Sequence, residues 1–207
     1  MQLRHVVAGV LALASTAIAQ AVPITFGFSG SVTQVPADDP GGGIGFGSAI
    51  TGTYTFDDAV LDAIADPSQG SYASFGLPFG LSVQIGTNSY SLAGFLNIAV
   101  SDGVLGVDQY GVFAFDGGLT VSMLFTDLDA AVFASDALPS LPPTMAAFEV
   151  RDFHLSDTTL GDVQIDGQID TLVCQAGCNP VSVPEPGTSV LVVAGLLAGG
   201  LRRRLFG

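Results

Sequence analysis

The chain has 207 residues, 48% of them hydrophobic, with a mean hydropathy of +0.56 and a formal net charge of −14. Its length allows one domain and little more, and its basic residues are five arginines, Arg4, Arg151, Arg202, Arg203 and Arg204, with no lysine. Across residues 20–183 eighteen carboxylates face Arg151 alone, a formal charge of −17, which excludes a phosphate-backbone partner, because affinity for nucleic acid rests on Lys and Arg.

At the start of the chain, MQLRHVVAGVLALASTAIAQA joins a short basic segment to an apolar run from Val6 to Ala14 and then small residues. This is the pattern of a secretory signal over residues 1–19, with Ala17 and Ala19 forming the A-x-A site. Cleavage after Ala19 is expected, with Ala21 as the alternative. The apolar run is too short for a membrane anchor, and no cysteine follows it to carry a lipid.

The body, residues 20–173, breaks into short runs rich in β-branched and aromatic residues and bounded by Gly, Asp, Asn or Pro. In order they are ITFGFSGSVTQV, AITGTYTFDD, GLSVQIG, YSLAGFLNIAVSDG, YGVFAFDGG, LTVSMLFTDLD, AAFEVRDFHLSD and DVQIDGQIDTLV. Such strands predict an all-β fold, a single antiparallel β-sandwich or jelly-roll-like domain. Helix is expected only as a turn near DDAVLDAIAD, while PADDPGGG and SDALPSLPP read as loops.

Residues 174–182 read as a linker holding Cys174 and Cys178 in CQAGC. The spacing is not that of a thioredoxin-like or haem site, and no second pair completes a zinc site. A small disulfide loop in an oxidising compartment is the expectation, a free or metal-binding pair the alternative.

The segment 183–207 is tripartite. Val183, Pro184, Glu185 and Pro186 precede an uncharged apolar stretch from Thr188 to Leu201, and Arg202, Arg203 and Arg204 follow it. As a helix the stretch reaches about 21 Å, short of the roughly 30 Å hydrocarbon core, and the arginines would stay on the cytoplasmic face. Prolines beside the membrane hold an extended backbone that a protease can grip.

This tail resembles the PEP-CTERM sorting signal of Gram-negative bacteria. The resemblance implies handling near Pro-Glu-Pro by exosortase, a membrane transpeptidase, and a transient stay in the inner membrane. It also implies a host that makes extracellular polysaccharide. The body is similar to a β-rich domain recurrent in such proteins, through SGSVTQV, ITGTYTFDD, SDALPSLPP and FEVRDFHL; that resemblance implies a sandwich fold and export but no activity.

Candidate chemistry in the body is sparse. His154, the only histidine outside the signal, lies near Asp152 and Asp157, yet no nucleophile elbow accompanies it, and VRDFHLSD reads as an edge strand with polar residues outward. Glycoside hydrolysis needs two carboxylates across a cleft, and Glu149 is the sole glutamate of the body. Tyr54, Tyr72, Tyr90 and Tyr110 are the candidates for stacking a sugar. No catalytic residue is assigned. Calcium is the candidate ligand, at Asp127 and Asp129 in TDLDA and at Asp162, Asp166 and Asp170, which recur every four residues. Solvated aspartates are the competing reading.

The sequence therefore points to an exported surface or extracellular-matrix protein with a structural or adhesive role, associated with exopolysaccharide. The alternatives are a calcium-assisted carbohydrate-binding module and a secreted hydrolase.

Overall fold

The computed structural model describes residues 23–35, 43–160 and 163–178. The expected signal peptide, the loop segment 36–42, Asp162 and the tail 183–207 lie outside the described residues.

Ten strands form among the described residues: Pro23–Gln34 (β1), Ala49–Asp57 (β2), Gln69–Phe75 (β3), Gly80–Ile85 (β4), Asn88–Leu92 (β5), Phe95–Val104 (β6), Val107–Asp116 (β7), Leu119–Asp127 (β8), Val150–Asp157 (β9) and Val163–Ala176 (β10). Every pairing is antiparallel. They make one sheet in the order β3-β6-β7-β8-β9-β10-β1-β2-β4-β5. The sheet curls until β4 approaches β6 and β5 approaches β7, so one face closes over the core and the other meets solvent. The all-β expectation holds.

Alternation drives the curl. On β1, Ile24, Phe26, Phe28 and Val32 point inward, and on β2 Ile50, Tyr54 and Phe56 do the same. The Phe26 ring meets those of Tyr54 and Phe56 edge-on at 5.6 and 5.3 Å, the offset geometry that aromatic quadrupoles prefer. Gly52 stands opposite Phe28, and a Cβ there would strike the Phe28 ring. Tyr54 on β2 and Tyr110 on β7, both fully buried, join hydroxyls across the core at 3.0 Å. Each satisfies the other, and burial raises both phenols above their ordinary range.

The structure departs from the sequence reading at several points. Residues 174–176, read as the start of a linker, continue β10 in pairing with β1. DDAVLDAIAD holds no helix; it is a loop in which Oδ1 of Asp62 accepts the N–H groups of Ile64 and Ser71. That loop runs along the outer edge of β3, where Ala63 N–H donates to the Ser71 carbonyl, and so blunts an edge that could otherwise pair with another chain. The run YSLAGFLNIAVSDG is two strands, split at Ala93 and Gly94, where Ala93 N–H turns to Asp116 Oδ2 at 3.2 Å. The strand β3 was not expected, because Tyr72 is the only large residue on its inner phase. Finally, β9 is no edge strand; it lies between β8 and β10.

Cys174 and Cys178 form the expected disulfide, closing the end of β10 beside the start of β1. Between β8 and β9 the chain makes a long excursion through SDALPSLPP, irregular as expected apart from a single 3-10 turn at Met145–Ala147. It returns Phe133, Met145 and Phe148 to the core, with Phe148 5.8 Å from Phe125 and 6.2 Å from Phe133.

Candidate functional site

The root of that excursion gathers the densest chemistry. Asp108 on β7 and Asp127 on β8 are directly paired, and both are buried, at 0% and 3% exposure. Buried carboxylates need partners, and here these are backbone N–H groups. Asp108 accepts from Gly103 at 2.7 Å, Val132 at 2.9 Å and Phe133 at 2.7 Å. Asp127 accepts from Asp129 at 3.0 Å and from Ala131 at 2.7 Å. The Ala131 and Asp129 hydrogen bonds hold the Asp127 carboxyl below the usual range, against the upward push of burial.

Glu149, where the excursion re-enters β9, accepts the Leu128 N–H on Oε2 at 3.0 Å. Carboxylate oxygens of Asp127, Asp129 and Glu149 thereby come within 4.8 Å of one another. Together with residues of the SDALPSLPP segment they line a cleft of about 750 Å³. Ionised oxygens at such separations suit a hard cation, which takes ligands at about 2.3–2.6 Å. Of the predicted calcium residues, Asp127 and Asp129 thus come together, and Glu149 joins them from far along the chain. Asp166 and Asp170 share the outer face of β10, as their spacing implies. They are separated by about 13 Å of strand and do not gather around one point.

Asp166 has another partner. His154 faces it directly across β9 and β10, with Nδ1 to Oδ1 at 2.7 Å. Asp157 turns instead to Thr159, and Asp152 is exposed. Ser122 flanks His154 on β8, so serine, histidine and aspartate stand in one cross-strand row. The row lies on the open outer face, and none of the three clefts of the molecule described here includes it. A triad's histidine needs an adjacent substrate seat, and the row offers none of these clefts.

Two outer surfaces were missed by the sequence reading. On one half of the sheet, Phe75, Phe95 and Phe115 stand in register across β3, β6 and β7. Phe95 is 5.4 Å from Phe75 and 6.2 Å from Phe113, which is also exposed. On the other half, β10, β1, β2, β4 and β5 line an open groove of about 670 Å³ with hydroxyl and amide side chains. The signal for both was the outward phase of each strand, such as Thr51, Thr53 and Thr55 in TGTYT. Of the candidate tyrosines, Tyr54, Tyr110 and Tyr72 are buried and offer no sugar platform, whereas Tyr90, partly buried against the core, also lines this groove.

The Asp127 geometry fixes the sign of a pH effect. A carboxyl whose folded pKa lies below its unfolded value, near 3.9, stabilises fully above that value and loses the contribution as pH falls through the folded pKa. Asp62 and Asp66, lowered chiefly by the N–H groups of Ile64 and Ser68, act in the same direction. Thermal unfolding should therefore show stability declining below about pH 4. Asp127→Asn should flatten that acid limb; an unchanged limb would refute the assigned role of its carboxylate.

Compared with known proteins, the chain matches no family model, and no curated protein or solved structure matches it.

Proposed function

We propose that this is an exported surface or extracellular-matrix protein with a non-catalytic, structural or adhesive role. The observation that carries the reading is the order of Val183-Pro184-Glu185-Pro186, the apolar stretch 188–201 and Arg202–Arg204. Those parts suit a sorting signal read by an exosortase-type transpeptidase at the inner membrane and removed near Pro-Glu-Pro. Three features support it: a sandwich-like β-domain curled over one core, a disulfide suited to an oxidising compartment, and an acidic body that stays soluble through its charge. The host in this reading is a Gram-negative producer of exopolysaccharide.

The test is the intact mass of the protein recovered from the surface and medium of its host. A mass beginning near Gln20 and ending between Pro184 and Pro186 is expected, with added mass at that end if it is attached to another molecule. A surface form that still carries Arg202–Arg204 would overturn the sorting reading.

A calcium-assisted carbohydrate-binding module is the second reading, favoured by the meeting of Asp127, Asp129 and Glu149 beside a cleft. Calcium should then stabilise the fold relative to chelator by about 2.7 kcal/mol at a hundredfold excess over Kd, read as a rise in melting temperature. Asp129→Ala with Glu149→Gln should abolish the rise. Identical melting with calcium and with chelator would dismiss this reading. The hydrolase reading finds no support in the placement of His154 and Glu149.

A further inference from the structure

We propose that the groove across β10, β1, β2, β4 and β5 binds an extended, uncharged polysaccharide chain. The inference rests on the surface-protein reading only for where such a chain would be met.

The argument begins with charge. In a body of formal charge −17 the groove is lined by residues without a single carboxylate, Lys or Arg. Phosphorylated or acidic polymers would be repelled by the surroundings and would find no cation in the groove. A metal ion would find no ionised ligand there. What the groove offers is hydrogen-bonding capacity on every strand. Thr53 and Ser82 join hydroxyls at 3.0 Å, and Ser29 and Thr171 at 2.6 Å. Each hydroxyl carries one donor and two acceptor sites, so each pair keeps one donor and three acceptors for a ligand. The first bond also fixes the rotors, which lowers the entropy lost on binding.

Shape supports the same occupant. Gly27 lies between the flanking strands, and a Cβ there would strike the Gln175 side chain. The missing side chain thus seats the Gln175 amide across β1. Val173, half-exposed on the same face, adds an apolar strip. A sugar ring presents hydroxyls at its edge and C–H groups on its face, and the groove matches both. Five strands at about 4.8 Å spacing give a track of about 19 Å, long enough for several rings in a row.

The test is affinity electrophoresis of the protein made in its own host, with the neutral chains hydroxyethyl cellulose, laminarin and galactomannan as probes and alginate as the acidic control. Retardation by at least one neutral chain, unaffected by chelator, and none by alginate, is expected. Thr53→Val with Ser82→Ala should weaken that binding about tenfold while the melting temperature confirms folding. Phe95→Ala with Phe115→Ala, on the opposite half, should leave it unchanged. The proposal falls if no neutral chain retards the protein, if alginate binds as well, or if the phenylalanine variant loses binding and the groove variant does not. Protein that keeps its tail yet binds through the groove would sink the sorting reading and leave this one standing. Protein that is processed yet unretarded would do the reverse.

Discussion

The buried pair Asp108 and Asp127 is the constraint on which the rest of the molecule depends. Like charges directly opposite on neighbouring strands destabilise a sheet, and here the two carboxylates face the dry side of it. The chain resolves the conflict by aiming five backbone N–H groups at them, four from the excursion after β8 and one from the end of β6. With Arg151 the only arginine or lysine between residues 23 and 178, backbone dipoles do the work that a cation would do elsewhere.

Other features are consequences of that arrangement. Once Val132 and Phe133 are held on Asp108, the Phe133 ring comes within 6.4 Å of Tyr110 and 6.2 Å of Phe148, which closes the core at the excursion. Once Asp129 and Ala131 are held on Asp127, Asp129 stands beside Glu149 in the lining of the cleft. The acidic cluster is therefore first a loop anchor, and any cation would bind to a framework that the backbone has already organised. The outer face carries none of this load, which leaves it free to differ between its halves: phenylalanines on β3, β6 and β7, hydroxyls and amides on β10, β1, β2, β4 and β5.

Much of this was legible in the sequence. Strands whose inner phase carries large residues, such as Ile24, Phe26 and Phe28, announce themselves, because burial demands side chains that fill space. Where the inner phase is Gly70, Tyr72 and Ser74, the same periodicity exists but carries no hydrophobic contrast, and β3 passes unnoticed. The rank of β9 in the sheet depends on pairing between distant segments, which no local pattern encodes. Asp127 and Asp129 were legible as a pair, but Glu149 joins them only through the fold. Asp108 is the instructive miss: it keeps step with Tyr110, Val112 and Ala114 on the inner phase of β7. A lone carboxylate in an inward series is a sign of a buried anchor, and its partners, being backbone groups, leave no trace in the sequence.

The most direct measurement is amide hydrogen exchange on the native protein and on Asp108→Asn. The anchored excursion predicts strong protection of the Gly103, Val132 and Phe133 amides in the native protein. In the variant those three should lose protection about tenfold, equivalent to about 1.4 kcal/mol, with the amides of β1 and β2 far less affected. Equal protection of the three amides in both proteins would show that Asp108 does not hold the excursion.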